Sequence, residues 1–181
     1  MAGRVADGVF IRVGTHPVNL RNAYAEVCAG AGEVGRDASE VKIGLIFHTV
    51  LEENADKAAL IARSMAAGYY EYSPMLFDAP GFEWNGPDCE ELKKQVWPVF
   101  HHHPRLEESG KLVEFLSDDV AASFSAHGDA DAITEQLNAA INCGVPCDIL
   151  VPHPMPTPHP DGPRPDYMER FANEVLPRLD V

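Results

Sequence analysis

What most constrains this chain is a rhythm: a short β-rich apolar run, a turn, then apolar residues at helical spacing, repeated along the sequence. Residues 7–13 (DGVFIRV) are apolar enough for a strand buried on both faces, and Gly14 closes them. Pro17 opens a helical pattern that brings Leu20, Ala23, Tyr24, Val27 and Cys28 to one face, until Gly30, Gly32 and Gly35 break it. Residues 41–50 (VKIGLIFHTV) repeat the strand. Residues 52–67 repeat the helix, with Ala58, Ile61, Ala62 and Met65 inward and Gly68 as its stop. Residues 123–127 (SFSAH) give a third, short strand, after which Asp129 caps a helix that turns Ile133, Leu137 and Ile141 inward and ends at Gly144. Residues 147–151 (CDILV) are the fourth strand. Residues 166–179 form a last helix, expected to bury Met168, Phe171, Ala172, Val175 and Leu176.

Strands alternating with helices in this way need crossover connections onto a parallel sheet, so the class is α/β. No GxGxxG or Walker glycine pattern follows any strand, which removes the usual fingerprint of a dinucleotide or P-loop sheet and tilts the architecture from a doubly wound sheet toward a barrel. The sequence thus predicts about four parallel βα units in a single domain over residues 1–181. One stretch, about 69–110, is out of step. It is aromatic (Tyr69, Tyr70, Tyr72, Phe77, Phe82, Trp84), punctuated by proline and glycine, and followed by a predicted helix over 88–102 and a short one over 113–121. We read it as an insertion between units, with the composition of a lid over a planar ligand or of a subunit contact. The proline-rich run 152–165 predicts a rigid loop.

A formal net charge of −14 repels phosphodiester backbones and anionic headgroups, and no Lys/Arg cluster marks any predicted helix. Neither nucleic acid nor a membrane surface is an expected partner. No run approaches the ~20 apolar residues of a bilayer span, and the opening ten residues carry Arg4 and Asp7 in place of a secretory core, so the expected location is the cytoplasm. Cys28, Cys89, Cys143 and Cys147 form no CxxC pair and read as reduced thiols.

In either architecture ligands bind beyond the carboxyl ends of the strands. A histidine stands at every one of those ends: Gly14-Thr15-His16, His48-Thr49, His127-Gly128-Asp129, and His153 after Pro152. Such imidazoles can donate to an anionic cofactor or a carbonyl, or titrate near neutral pH, while the plainer reading is that they satisfy loop carbonyls. Gly14-Thr15-His16 also precedes a helix N-terminus, a setting that suits a phosphate and equally suits simple capping. His101-His102-His103 point ~100° apart on a helix and cannot share one ion, so they read as a frayed, solvated helix end. Glu52-Glu53, Glu90-Glu91, Glu107-Glu108 and Asp118-Asp119 fall at helix starts or loops and read as structural.

Four of these segments, taken in order, resemble the luciferase-like monooxygenase superfamily, which includes F420-dependent methylenetetrahydromethanopterin reductases. AGRVADGVFIRVG is similar to its AG-x-x-ADGV strand, and GRDASEVKIGL to its AGRDP-x-x-V strand entry. HGDADAITEQLNAAINCGVPCDILV is similar to its GTPEEVAEQL strand-helix-strand stretch, and FANEVLPRL to its terminal helix. The resemblance implies the C-terminal half of a (β/α)8 barrel, with FMN or coenzyme F420 at the strand carboxyl ends, hydride transfer through the cofactor ring, a small-molecule substrate and commonly a homodimer. It places the cofactor phosphate on Gly14 and Thr15, and makes His16, His48, His127, Gly128 and His153 the remaining cofactor-binding candidates; no catalytic acid or base carries over. F420-dependent members often hold a lysine where this chain has Thr15.

A barrel of this type needs eight strands and roughly 250 residues. The chain is therefore expected to be incomplete as a catalyst unless it associates with a missing N-terminal half. Two other readings are a metal-dependent hydrolase using His48, His127 and His153 with Asp129, for which no HxH or HExxH pair exists, and a non-catalytic half-barrel that dimerises through its strand edges.

Overall fold

After a one-turn helix, α1 (Ala2–Val5), the first β-rich run forms β1 (Gly8–Ile11) and pairs in parallel with β2 (Lys42–Leu51), Gly8 opposite Lys42 and Ile11 opposite Leu45. The computed structural model describes residues 1–155 and 166–181. The crossover between the two strands is α2 (Pro17–Gly32), begun by its proline and closed where Gly35 takes φ +70°. β3 (Ala126–Gly128) pairs with Thr49–Leu51 of β2, and β4 (Ile149–Pro154) pairs with Gly44–Thr49. The four strands are parallel, as the sequence predicts, but their spatial order is not their chain order. β1 and β3 lie end to end along one edge of β2, and β4 takes the other. β4 carries Pro152 and Pro154, which a strand paired on a single edge tolerates because the missing N–H groups face outward. The loop expected over 152–165 thus begins as strand, and its remainder, 156–165, lies outside the described residues.

The two faces of the sheet differ. On one, Ile11, Ile43, Leu45, Phe47 and Leu150 meet α2 through Leu20 and Val27, and meet α8 (Ala130–Ile141) through Ile133, Leu137 and Ile141. On the other, Phe10 lies over Gly44, where a Cβ would sit 2.3 Å from the ring, and Ile149 is the in-register neighbour across β2. Phe10 and Ile149 remain 58% and 48% exposed, so this end of the face carries no helical cover among the described residues, whereas further along β2 Val50 packs against Ala58, Ile61 and Met65 of the following helix.

Three expected helices change. α3 runs Ala55–Tyr72, starting later than predicted because Asn54 Oδ1 caps the Lys57 amide at 3.0 Å, and continuing through Gly68. Gly68 is there for close approach: a Cβ on it would come 2.2 Å from His101 Nδ1. Between 69 and 110, α4 (Met75–Asp78) forms where no helix is predicted, and of the helix predicted over 88–102 only a short α5 (Cys89–Lys93) and a 3-10 turn, Phe100–His102, form. The helix predicted over 113–121 becomes α6 (Leu106–Lys111) and α7 (Asp118–Ala122), the latter capped by Ser117. The insertion aromatics are mostly packed. Tyr70 stacks on Trp84 at 4.4 Å and Phe77 on Phe124 at 4.9 Å, building a second core against α3.

At the C-terminus α9 (Tyr167–Arg170) passes into a π turn over Phe171–Val175 and a 3-10 turn over Leu176–Arg178. The wider turn shifts the phase of the helix, so Tyr167, Phe171 and Val175 are buried while Met168, Ala172 and Leu176, expected inward, are exposed.

Candidate functional site

The parallel register sets the strand-end side chains side by side. His48 and His153 are register partners on β2 and β4, and their rings lie 4.8 Å apart at 34°. Arg12 follows the last residue of β1 and, by strand alternation, shares a face with Phe10. α3 contributes Met65, Gly68, Tyr69 and Tyr72. A third wall comes from the Phe100–His102 turn, whose position is fixed from below: the hydroxyls of Ser64 on α3 and Ser109 on α6 both donate to the Phe100 carbonyl, at 2.7 and 2.9 Å. That anchor lays His101 against Gly68. The result is a cleft of about 280 Å³ lined by Arg12, His48, Tyr69, His101, His102 and His153, with apolar surface from Met65, Leu76 and Met155.

Its electrostatics are simple. Among the described residues no carboxylate lines the cleft, and the Arg12 guanidinium has no hydrogen bond or ion pair. Burial, aided by the nearby positive charge of His153 and Arg12, pushes His48 down to about 3, and burial with His102 and Arg12 brings His101 down to about 4. Burial also lowers His153. The Tyr69 hydroxyl stands 3.2 Å from His48 Nδ1; burial pushes its phenol up to about 12, against the opposing pull of Arg12. At neutral pH His48, His101 and Tyr69 are therefore uncharged, and Arg12 supplies the charge.

Of the sequence candidates, only His48 and His153 meet here. Gly14 is the turn the chain needs, at φ +82°, where a Cβ would come 2.3 Å from the Ser123 carbonyl. Thr15 is buried, its amide donating to Ser123 O at 2.9 Å and its hydroxyl to Ala122 O at 2.5 Å, so neither donor is free for a phosphate. His16 caps α2, its Nδ1 accepting from the Val18 amide at 3.3 Å, and sets its ring edge-on to Phe82 in a separate shallow cleft. His127 and Gly128 open onto another groove, lined by Glu53, Asp56, Asp118 and Asp129 together with Arg63, which is itself paired with Asp118. His127 Nδ1 lies 3.0 Å from the Ser125 carbonyl, and Gln136 clamps the His127 backbone from both sides. The metal-site expectation does not assemble: His127 lines a different groove from His48 and His153, Asp129 caps α8 through the Ala132 amide at 2.9 Å, and no three metal-ligating side chains converge among the described residues.

Sequence reasoning missed three of the lining residues. His101 and His102 read as a solvated helix end, whereas His101 is largely enclosed and packed on Gly68. Arg12 was concealed inside an apolar run, although a lone charge two positions after Phe10 on the same strand face was a readable signal.

Comparison with known proteins adds four findings. A family model described as luciferase-like monooxygenase matches residues 1–146. The chain is 23% identical over 178 residues to the 5,10-methylenetetrahydromethanopterin reductase of Methanopyrus kandleri (strain AV19), covering 98% of this chain and 46% of that protein. It is 25% identical over 146 residues to the enzyme of the same name from Methanolobus tindarius, covering 80% of this chain and 42% of that one. Among solved structures it is similar in fold to the coenzyme F420-dependent tetrahydromethanopterin reductase from Methanopyrus kandleri, with a TM-score of 0.67 at 21% identity over 99% of this chain and 47% of that chain. The chain spans under half the length of the curated relatives it matches.

Proposed function

The chain belongs to the luciferase-like monooxygenase family, and from that premise we propose that it forms one wall of the cofactor site of an oxidoreductase that works with F420 or FMN on a small-molecule substrate. The observation that carries this reading is the cleft at the ends of β1, β2 and β4, where the Arg12 guanidinium and uncharged imidazoles meet with neither a partner for Arg12 nor a carboxylate among the described residues.

The residues present fit such a group in part. Arg12 is uncommitted among the described residues and so available to an electron-rich oxygen or nitrogen of a planar ring, whereas the Nδ1 of His101 is enclosed against Gly68. Thr15 does not fit the phosphate role, because its two donors are spent on Ala122 and Ser123. A cleft of about 280 Å³ takes a ring portion and leaves the rest of a large cofactor outside it. Such a cofactor, when bound, supplies hydride transfer through its ring. The chain's own side chains would hold and orient it: Arg12 and the cleft imidazoles would offer polar contacts to the ring, and Met65, Leu76 and Met155 would keep water from the cleft.

The uncovered sheet face bearing Phe10 and Ile149 supports a second element of the proposal, that turnover needs further structure over this face, from a homodimer partner or an N-terminal half. Fluorescence titration with FMN and with F420 tests the first element: binding by at least one of them, weakened about tenfold by Arg12→Gln, is expected. Failure of both to bind at millimolar concentration overturns it. Substrate turnover by the isolated chain overturns the second.

A further inference from the structure

We propose that Tyr69 is a positioning residue that holds His48 as its Nε2–H tautomer, so that β2 presents to the cleft a fixed hydrogen-bond donor and not a base. The assignment follows from a donor count around one phenol. Tyr69 Oη stands 3.2 Å from His48 Nδ1, its single hydrogen-bond partner among the described side chains. If His48 Nδ1 carried the proton and donated it to that oxygen, the phenol hydrogen would have no acceptor among the described residues. If the phenol donates to a bare Nδ1, every group is satisfied, and the imidazole proton must sit on Nε2.

The far nitrogen faces the cleft. Nε2 makes no hydrogen bond to any described residue, yet it is absent from the set of enclosed, unpartnered polar atoms, so it is open to the space that Arg12 and His153 line. The burial that suppresses protonation of His48 keeps the imidazole neutral across the working pH range, and the tautomer is then the only variable left. Arg12 has no acceptor capacity, and a neutral Nε2–H has none at that nitrogen. Together they select ligands that bring an oxygen acceptor, a ring carbonyl or an enolate-like oxyanion, and discriminate against ligands that bring N–H or O–H donors to the same point.

This inference names the ligand chemistry of the cleft assigned above, and its ligand arm rests on that reading. Nitrogen-15 NMR of the histidine-labelled, ligand-free chain at neutral pH tests the tautomer by itself. The expected spectrum shows His48 protonated at Nε2 and bare at Nδ1, and Tyr69→Phe, which keeps the ring and removes the hydroxyl, turns this into a mixture of both tautomers. An Nδ1–H signature in the unmodified chain, or an unchanged spectrum in Tyr69→Phe, overturns the proposal. The second measurement is FMN titration of two variants at position 48. His48→Gln, whose amide nitrogen can stand where Nε2 stands, is expected to bind like the unmodified chain, and His48→Leu about tenfold more weakly. Equal binding by the two overturns the donor role. Absence of FMN and F420 binding altogether, with the Nε2–H signature intact, overturns the cofactor reading and leaves the tautomer assignment standing.

Discussion

His48 and His127 occupy the same place in the grammar of the sequence, each near the carboxyl end of a parallel strand, and the folded chain puts them to opposite use. His127 turns Nδ1 toward a carbonyl, which can only accept, so its proton sits on Nδ1 and its outer nitrogen is a lone pair facing a groove lined by four or more carboxylates. His48 turns Nδ1 toward a phenol that has its own proton to give, and its outer nitrogen faces a cleft that holds Arg12 and, among the described residues, no acid. The strand end delivers an imidazole to the rim in both cases. What that imidazole offers is decided by the atom behind it, which sequence position does not specify.

Acidification should separate the two most strongly. The folded pKa of His48, about 3, lies below its ordinary 6.5, so the unfolded chain takes up the proton first. Its contribution is constant above about 6.5 and is lost progressively as the pH falls toward 3, on the order of 4 kcal/mol if the burial persists. Urea unfolding across that window should show the decline, and His48→Gln should flatten it by about one proton where His127→Gln flattens it less; equal slopes in the two variants would sink the contrast. Next in size is Gly68→Ala, which drives a methyl into the His101 ring and should cost about 2 kcal/mol while pushing that imidazole out of the cleft. Arg12→Gln should weaken ring-ligand binding by about tenfold, near 1.4 kcal/mol, with no change in melting temperature because the side chain is exposed and unpaired. Thr15→Val should cost about 1 kcal/mol of stability through the lost bond to Ala122 and leave ligand affinity as it was. A large loss of affinity there would restore the phosphate role that its hydrogen bonds argue against. Smallest of all, Asp56→Asn in the acidic groove should leave binding in the other cleft unchanged, and any measurable gain would show that the two are electrostatically joined.

The same pair shows what was legible beforehand. The alternation of β-rich runs and helical spacing located all four strands and the inward faces of α3 and α8, because burial on a strand or helix leaves a periodic trace. His48 and His153 were visible for the same reason: they end strands. His101 was not, because its local sequence describes a fraying helix end, and its burial depends on Ser64, Gly68 and Ser109, which approach only once α3 and α6 pack. Gly68 itself misled, since a glycine required by a neighbour's ring looks, in sequence, like a glycine that ends a helix. The order of strands around β2 was equally hidden, for no local pattern states which of two short runs, 126–128 or 149–154, will take the longer edge.

The pairing of β2 with β4 also has a temporal meaning. Its contacts join residues 105 positions apart, as between Ile43 and Asp148, whereas β1 meets β2 across a single helix. Closing the longer loop carries the larger entropic cost, so the β1–β2 ladder should form early and the β2–β4 ladder late. The juxtaposition of His48 and His153 is then among the last events of folding. Substitutions in β4, such as Leu150→Ala, should speed unfolding with little change in the folding rate, while Ile43→Val in β2 should slow folding. The chain would acquire its core before its cleft, and a partly folded molecule would be compact and still unable to hold a ligand.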